Sequence, residues 1–198
     1  RLDRDLCRRV RSSILCAGPL LARHRQVTIF PPGGDIIGRR RLDTHFLGLQ
    51  ALGARITGGE RFTFRRAELR GTDILLDEAS VTATENILMA ATLAAGVTTL
   101  DNAACEPHVQ DLCVLLNRMG ARITGIGANR LQIEGVPALH GATHTLGPDH
   151  VEIGSFLAAA AVTGGALTLP DLELAPDLLA PILRPFRTLG LDLDLKDG

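Results

Sequence analysis

Ala54-Arg55-Ile56-Thr57-Gly58 returns 67 positions downstream as Ala121-Arg122-Ile123-Thr124-Gly125, the first copy preceded by Leu52-Gly53 and the second by Met119-Gly120. A short pattern that recurs at the same point after a glycine-terminated helix marks a repeated supersecondary unit. The apolar stretch Ile87-Leu88-Met89-Ala90-Ala91-Thr92-Leu93-Ala94-Ala95-Gly96 supports the same division. It is similar to Ile14-Leu15-Cys16-Ala17-Gly18-Pro19-Leu20-Leu21-Ala22 upstream and to Phe156-Leu157-Ala158-Ala159-Ala160-Ala161-Val162 downstream. Units of roughly 70 residues result, each reading as helix, strand, helix, strand, strand, with the following strand opening the next copy. The first copy lacks its leading strand and the third stops after Leu191-Asp192-Leu193-Asp194-Leu195. The expected fold class is therefore α/β, with about two and a half to three repeat units present, a window on a longer array.

The middle unit shows the pattern best. An apolar helix is expected over 84–95, and Val97-Thr98-Thr99-Leu100 is β-branched enough to be a strand. Val109, Leu112, Cys113 and Leu116 recur at helical spacing behind Pro107, so a second helix runs to Met119 and Gly120 ends it. Residues 121–124 and 130–134 then pair as strands about Gly125-Ile126-Gly127-Ala128-Asn129. This Gly-x-Gly lies between two strands and opens no helix, so it reads as a hairpin turn and not as a dinucleotide fingerprint. Gly164-Gly165 reads as the end of a helix.

The composition limits the function classes. At 45% hydrophobic and 22% charged, with a formal net charge of −1, the 198 residues have the profile of a soluble, cytoplasmic globular protein. Neither membrane nor nucleic acid is expected as a partner: no apolar run approaches a membrane span, no signal segment opens the chain, and overall charge is near zero. Aromatics are 3%, with no Trp or Tyr, which removes the stacking platforms of single-strand binders. Cys7, Cys16, Cys105 and Cys113 show no zinc spacing and read as reduced thiols. No initiator Met is present and the chain opens within a helical pattern at Arg1-Leu2-Asp3-Arg4, which reads as removal of an upstream part.

Two stretches carry chemistry. Pro31-Pro32-Gly33-Gly34-Asp35-Ile36-Ile37-Gly38-Arg39-Arg40-Arg41-Leu42-Asp43 sets one carboxylate and three consecutive arginines in a sharply turning loop between a strand and a helix. In Glu78-Ala79-Ser80-Val81-Thr82-Ala83-Thr84-Glu85, Thr82-x-x-Glu85 fits a capping box, and the helix start it would open is also suited to meet phosphate. Arg11 lies on a basic helix over 4–11, where it is either a solvated charge or an anion contact.

One set of stretches is Arg11-Ser12-Ser13-Ile14, Gly18-Pro19-Leu20-Leu21-Ala22-Arg23, Pro32-Gly33-Gly34-Asp35-Ile36-Ile37-Gly38-Arg39-Arg40 with Asp43, and Gly48-Leu49 with Leu52-Gly53-Ala54. It continues through Ser80-Val81-Thr82-Ala83-Thr84-Glu85-Asn86, Asp101-Asn102-Ala103-Ala104 with Glu106-Pro107, and Pro148-Asp149 with Glu152-Ile153-Gly154-Ser155-Phe156-Leu157. Together these carry a resemblance to the UDP-N-acetylglucosamine enolpyruvyl transferase family, the UDP-N-acetylglucosamine 1-carboxyvinyltransferases. It implies an inside-out α/β barrel of βαβαββ units in two domains, with no metal or organic cofactor. Residues 1–147 would be part of the first domain, with two repeat units and the catalytic loop 31–43, and 148–198 the start of the second.

The implied reaction moves the enolpyruvyl group of phosphoenolpyruvate to the 3-hydroxyl of UDP-N-acetylglucosamine, the committed step of peptidoglycan synthesis. Both substrates are anions, so arginines are the natural ligands. By resemblance Asp35 occupies the position of the general acid, commonly cysteine, and Arg40 lies by the phosphoenolpyruvate phosphate. Arg11, Arg40, Arg41, Leu42, Asp43 and Thr44 would bind substrate, Arg41 and its followers through backbone. Glu78, Ala79, Ser80 and Val81 would line the uridine and diphosphate pocket. His45 matches a family histidine and would orient.

The chain also departs from that pattern. Arg41 stands where proline is usual, Glu78 where many members have lysine, His108 for an acidic residue and His150 for an arginine. The family's general base, its Lys-Asn pair and the second-domain arginines have no counterpart, so the chain is expected to be a fragment, inactive alone, with 136–147 crossing toward the second domain. Two rivals remain: the shikimate-pathway enolpyruvyl transferase, and a catalytically silent scaffold built on the same repeat.

Overall fold

A computed structural model describes residues 2–34, 41–170, 172 and 176–194. Asp35 and Arg40 lie outside the described residues. The chain forms two compact units, Arg1–His144 and Thr145–Gly198, dividing inside the segment 136–147.

The first unit opens with α1 (Arg4–Arg9), a 3-10 helix over Arg11–Cys16, α2 (Ala17–Arg23) and β1 (Gln26–Ile29). There follow α3 (Asp43–Ala51), β2 (Arg55–Thr57), β3 (Phe62–Arg65) and β4 (Asp73–Leu75), then α4 (Val81–Ala91) and β5 (Val97–Asp101). It ends with α5 (Pro107–Arg118), β6 (Arg122–Thr124) and β7 (Arg130–Glu134). The repeat is visible in the sheets. One has the order β1-β3-β2 and the other β5-β7-β6 with β4 added parallel to β5, so each copy contributes the same antiparallel arrangement. Register repeats as well, with Ile56 opposite Phe64 and Ile123 opposite Ile133. Gly53 and Gly120, at φ 100° and 96°, close the preceding helices in the left-handed conformation that glycine tolerates.

The helix α4 is the centre of this unit's core. Ala83, Thr84, Asn86, Ile87, Leu88, Ala90 and Ala91 are buried along it, so it is enclosed on nearly all sides by α2, α3, α5 and the 3-10 helix. Two glycines admit the neighbours. A Cβ on Gly18 would stand 2.1 Å from the Asn86 carbonyl oxygen, and one on Gly48 would stand 2.0 Å from Ile87 Cδ1. The expected hairpin is present, Ala128 N–H donating to the Gly125 carbonyl. The cysteines are free, Cys7 and Cys113 buried and Cys105 exposed.

Three expected boundaries shift. The helix expected over 84–95 is Val81–Ala91, and its N-cap is Ser80, in extended conformation, whose hydroxyl accepts the Ala83 N–H at 3.4 Å. The Thr82-x-x-Glu85 capping box is therefore not the device that opens it, since Thr82 is already helical. The basic helix expected over 4–11 stops at Arg9 because Val10 is extended, φ −132° and ψ 135°, and the Ser13 hydroxyl lies 3.1 Å from the Cys7 carbonyl and 2.9 Å from that of Val10. Arg11 consequently begins a separate 3-10 helix.

The second unit has α6 (His150–Thr163) and α7 (Pro176–Thr188). Asp149 Oδ1 caps α6 by accepting the N–H groups of Val151 and Glu152 at 2.8 and 3.3 Å, and Gly164 ends it at φ 65°. Its core is small: Ile153, Leu179 and Leu183, with Leu157, Leu169, Leu172, Ile182 and Leu193 packed against them. The strands expected in a third repeat do not occur among its described residues. No described helix is long and apolar enough to cross a membrane.

Candidate functional site

The sequence-selected residues that are described converge at the starts of α3 and α4, 30 and more positions apart in the chain. The Arg11 Nη2 donates to the Arg41 carbonyl at 2.9 Å, tying the 3-10 helix to the segment that enters α3. Arg41 Nε donates to both carboxylate oxygens of Asp43 at 2.9 Å, and its Nη2 reaches Asp77 Oδ2 at 2.5 Å. Thr44, 1% exposed, places its hydroxyl 3.0 Å from Asp77 Oδ1 and 3.1 Å from Glu78 Oε1. The stretches 41–44 and 77–81 are thereby laced together. By resemblance Arg41 would meet substrate through its backbone; in the structure its carbonyl accepts from Arg11 and its side chain is the pin that joins the two stretches.

Charge follows this lacing. The Thr44 hydroxyl, then the Arg41 guanidinium, hold the Asp77 carboxyl below the usual carboxylate range, and the hydrogen bonds that Arg41 donates to Asp43 and Asp77 raise Arg41 further. Asp43 occupies the first turn of α3, where the helix dipole favours a carboxylate. Leu42 precedes it with no side-chain cap, its carbonyl accepting the Phe46 N–H at 3.2 Å. Ala79, Ser80 and Val81 lead into the first turn of α4, whose leading N–H groups are the natural partners of an oxygen anion.

Behind this rim is a buried polar network. Asn86 Oδ1 accepts the Gly18 N–H at 2.5 Å, and its Nδ2 lies 3.1 Å from both the Ile14 carbonyl and His45 Nδ1. His45 Nε2 is 3.2 Å from the Thr82 hydroxyl. His45 is 1% exposed; burial first, and the Arg11 charge second, push its pKa down to about 4. It is neutral at ordinary pH, which suits the orienting role expected for it.

A separate carboxylate pair lies where α4 and α5 begin. Glu85 is pushed above its ordinary value by burial and by Glu106, and His108 Nε2 stands 3.9 Å from Glu85 Oε1. No group of three or more metal-ligating side chains occurs among the described residues.

Asp77 and Asn86 are site residues to which the sequence assigns no role, and Thr82 is one to which it assigns only a capping role. Asn86 had a signal, an amide just ahead of the apolar run Ile87-Leu88-Met89, where a buried polar group needs partners. Asp77 had none, because its meaning depends on Arg41, 36 residues away.

The sequence profile of the EPSP synthase (3-phosphoshikimate 1-carboxyvinyltransferase) family matches residues 2–186. Curated relatives are named UDP-N-acetylglucosamine 1-carboxyvinyltransferase. That of Treponema pallidum is 59% identical over 94% of this chain and 44% of its own length, and that of Bacteroides fragilis 51% identical over 96% and 44%. The chain spans less than half the length of these relatives. Among solved structures, the enolpyruvyl transferase NikO from Streptomyces tendae superposes with a TM-score of 0.80 at 22% identity, covering 98% of this chain and 47% of that one. EPSP synthase from Acinetobacter baumannii superposes at 0.57, with 22% identity over 76% of this chain and 34% of its own. The fold is the α/β fold of these transferases.

Proposed function

The chain belongs to the EPSP synthase family, and we propose that it forms part of an enzyme transferring the enolpyruvyl group of phosphoenolpyruvate to the 3-hydroxyl of UDP-N-acetylglucosamine, with release of phosphate. The product would be a peptidoglycan precursor made in the cytoplasm. The observation that carries the reading is the lacing of 41–44 to 77–81 beside Arg11. Two stretches that resemblance assigns to substrate binding, the second of them to the uridine and diphosphate pocket, are held in one place by Arg41, Asp77 and Thr44. The named relatives favour this reading over the shikimate-pathway alternative.

In the proposed chemistry the sugar hydroxyl attacks C2 of phosphoenolpyruvate while a proton is delivered to C3. The C2–O bond to phosphate then breaks and the C3 proton returns to base, restoring the double bond. Asp35 would supply the proton and Arg40 would hold the phosphate; both lie outside the described residues. An aspartic acid needs its pKa raised to act near neutrality, and desolvation against a dianionic substrate works in that direction. Residues 1–147 would belong to the first domain and 148–198 to the second, and the base that accepts the hydroxyl proton would come from the remainder of the enzyme.

The test uses the full-length enzyme. Titration with UDP-N-acetylglucosamine should give binding heat, and phosphate release should require phosphoenolpyruvate. Asp35→Asn should lower kcat by about 100-fold or more while nucleotide-sugar binding persists. Competition by shikimate 3-phosphate would move the assignment to the alternative, and absence of binding would leave a scaffold. A thiol-directed epoxide such as fosfomycin should inactivate the Asp35→Cys variant faster than the parent, since a carboxylate is the weaker nucleophile.

A further inference from the structure

The network behind the rim assigns every proton on it. The Gly18 N–H can donate only to an acceptor, so the Asn86 oxygen faces Gly18 and its NH2 faces the other side. That NH2 has two protons and two partners, the Ile14 carbonyl and His45 Nδ1, each at 3.1 Å. His45 Nδ1 must therefore accept. A neutral imidazole that accepts at Nδ1 carries its proton on Nε2. That proton goes to the Thr82 oxygen, 3.2 Å away. Thr82, being the acceptor in this bond, keeps its own hydroxyl proton for something else. Among the described residues its oxygen has no other hydrogen-bond partner.

We propose that Thr82 presents this proton to an acceptor oxygen of the bound nucleotide sugar, with His45 and Asn86 as positioning residues that fix its direction. The inference rests on the functional reading above. Thr82 lies in the first turn of α4, two residues after the Ser80 cap, on the helix end laced to 41–44. Arg11, which bonds the Arg41 carbonyl, is near enough to His45 to disfavour a charge on it. The cation and the oriented hydroxyl thus belong to the same corner. Neither the glycine at 18 nor the asparagine at 86 touches the ligand in this arrangement; their effect passes through His45.

The experiment compares Thr82→Val, which keeps the shape and deletes the hydroxyl, with Thr82→Ser, which restores it, in the full-length enzyme. Thr82→Val should raise KM for UDP-N-acetylglucosamine, and Kd for UDP, about 10-fold or more, as expected for one hydrogen bond to a charged acceptor. Its kcat and its KM for phosphoenolpyruvate should stay within about 3-fold, and Thr82→Ser should recover most of the loss. Long-range 15N–1H correlation of the histidine rings should find His45 in the Nε2–H tautomer. Unchanged nucleotide affinity in Thr82→Val, failure of Thr82→Ser to recover, or an Nδ1–H tautomer would each overturn the proposal. If the parent enzyme binds neither UDP nor UDP-N-acetylglucosamine, the functional reading fails and takes this one with it. If the parent binds both and Thr82→Val binds them equally, only this one fails.

Discussion

Asn86 has no exposed surface, yet its oxygen and both its amide protons are used, by three different elements. A buried amide so satisfied specifies how those elements meet; removing it leaves several buried groups without partners, each costing roughly 1–3 kcal/mol. Its neighbour His45 makes stability depend on pH. The folded chain keeps His45 neutral with a pKa of about 4, whereas the unfolded chain takes up a proton near 6.5. The native state thus binds fewer protons between these values, and stability rises with pH across that window. The contribution is complete above pH 6.5 and is lost as pH falls to about 4; a shift of this size corresponds to about 3 kcal/mol. Glu85, with its raised pKa, acts in the opposite sense, costing stability as pH rises through the carboxylate range. Urea midpoints measured from pH 7 to pH 4 should therefore fall for the parent and fall much less for His45→Asn.

Among the elements, α4 decides the packing, and glycine decides how closely α2 and α3 approach it. Gly48→Ala would drive a methyl into Ile87, whose Cδ1 and Cγ1 would lie 2.0 and 2.4 Å from it. Overpacking of this kind costs about 1–3 kcal/mol. Ile87→Ala alone should cost about 2–5 kcal/mol through its cavity. The double variant should be more stable than the sum of the two losses by about 1 kcal/mol or more, because each change accommodates the other. Additive losses in chemical denaturation would mean that the helices move apart instead. The same approach at Gly18 is against the Asn86 backbone carbonyl at 2.1 Å and the Asn86 Oδ1 that Gly18 itself holds, at 2.5 Å, so alanine there should be the more damaging of the two substitutions.

In the molecule as a whole, each unit has its own core, and the first carries the described site residues. Residues 136–144 are held against α5 at two points. His140 N–H donates to the Met119 carbonyl at 2.9 Å, and His144 sits between Asp111, 2.9 Å from Nε2, and Arg118, 3.0 Å from Nδ1. The His144 side chain is 6% exposed, so the clasp is packed as well as bonded. His144→Ala should release this end of the unit. Hydrogen exchange at the His140 amide should accelerate about tenfold or more, while amides of β5 and β7 keep their protection. Equal protection of the His140 amide in parent and variant would show that the Met119 bond holds the segment unaided.

The repeat, the α/β class and the two stretches of the candidate site were legible in the residues alone. These are local or periodic properties: glycines that must close helices, apolar spacing that must face a core, and a pentapeptide that returns at the same structural point. The sequence located Arg11, Arg41 and Ser80 but misread the start of α4, because Thr82-x-x-Glu85 satisfies the capping pattern as well as Ser80 does. Only the tertiary structure chose Ser80, turned Thr82 toward His45 and paired Arg41 with Asp77. The last two of these join residues 37 and 36 positions apart, and their energies depend on burial and on which donor meets which acceptor, quantities that exist only once the chain has closed on itself.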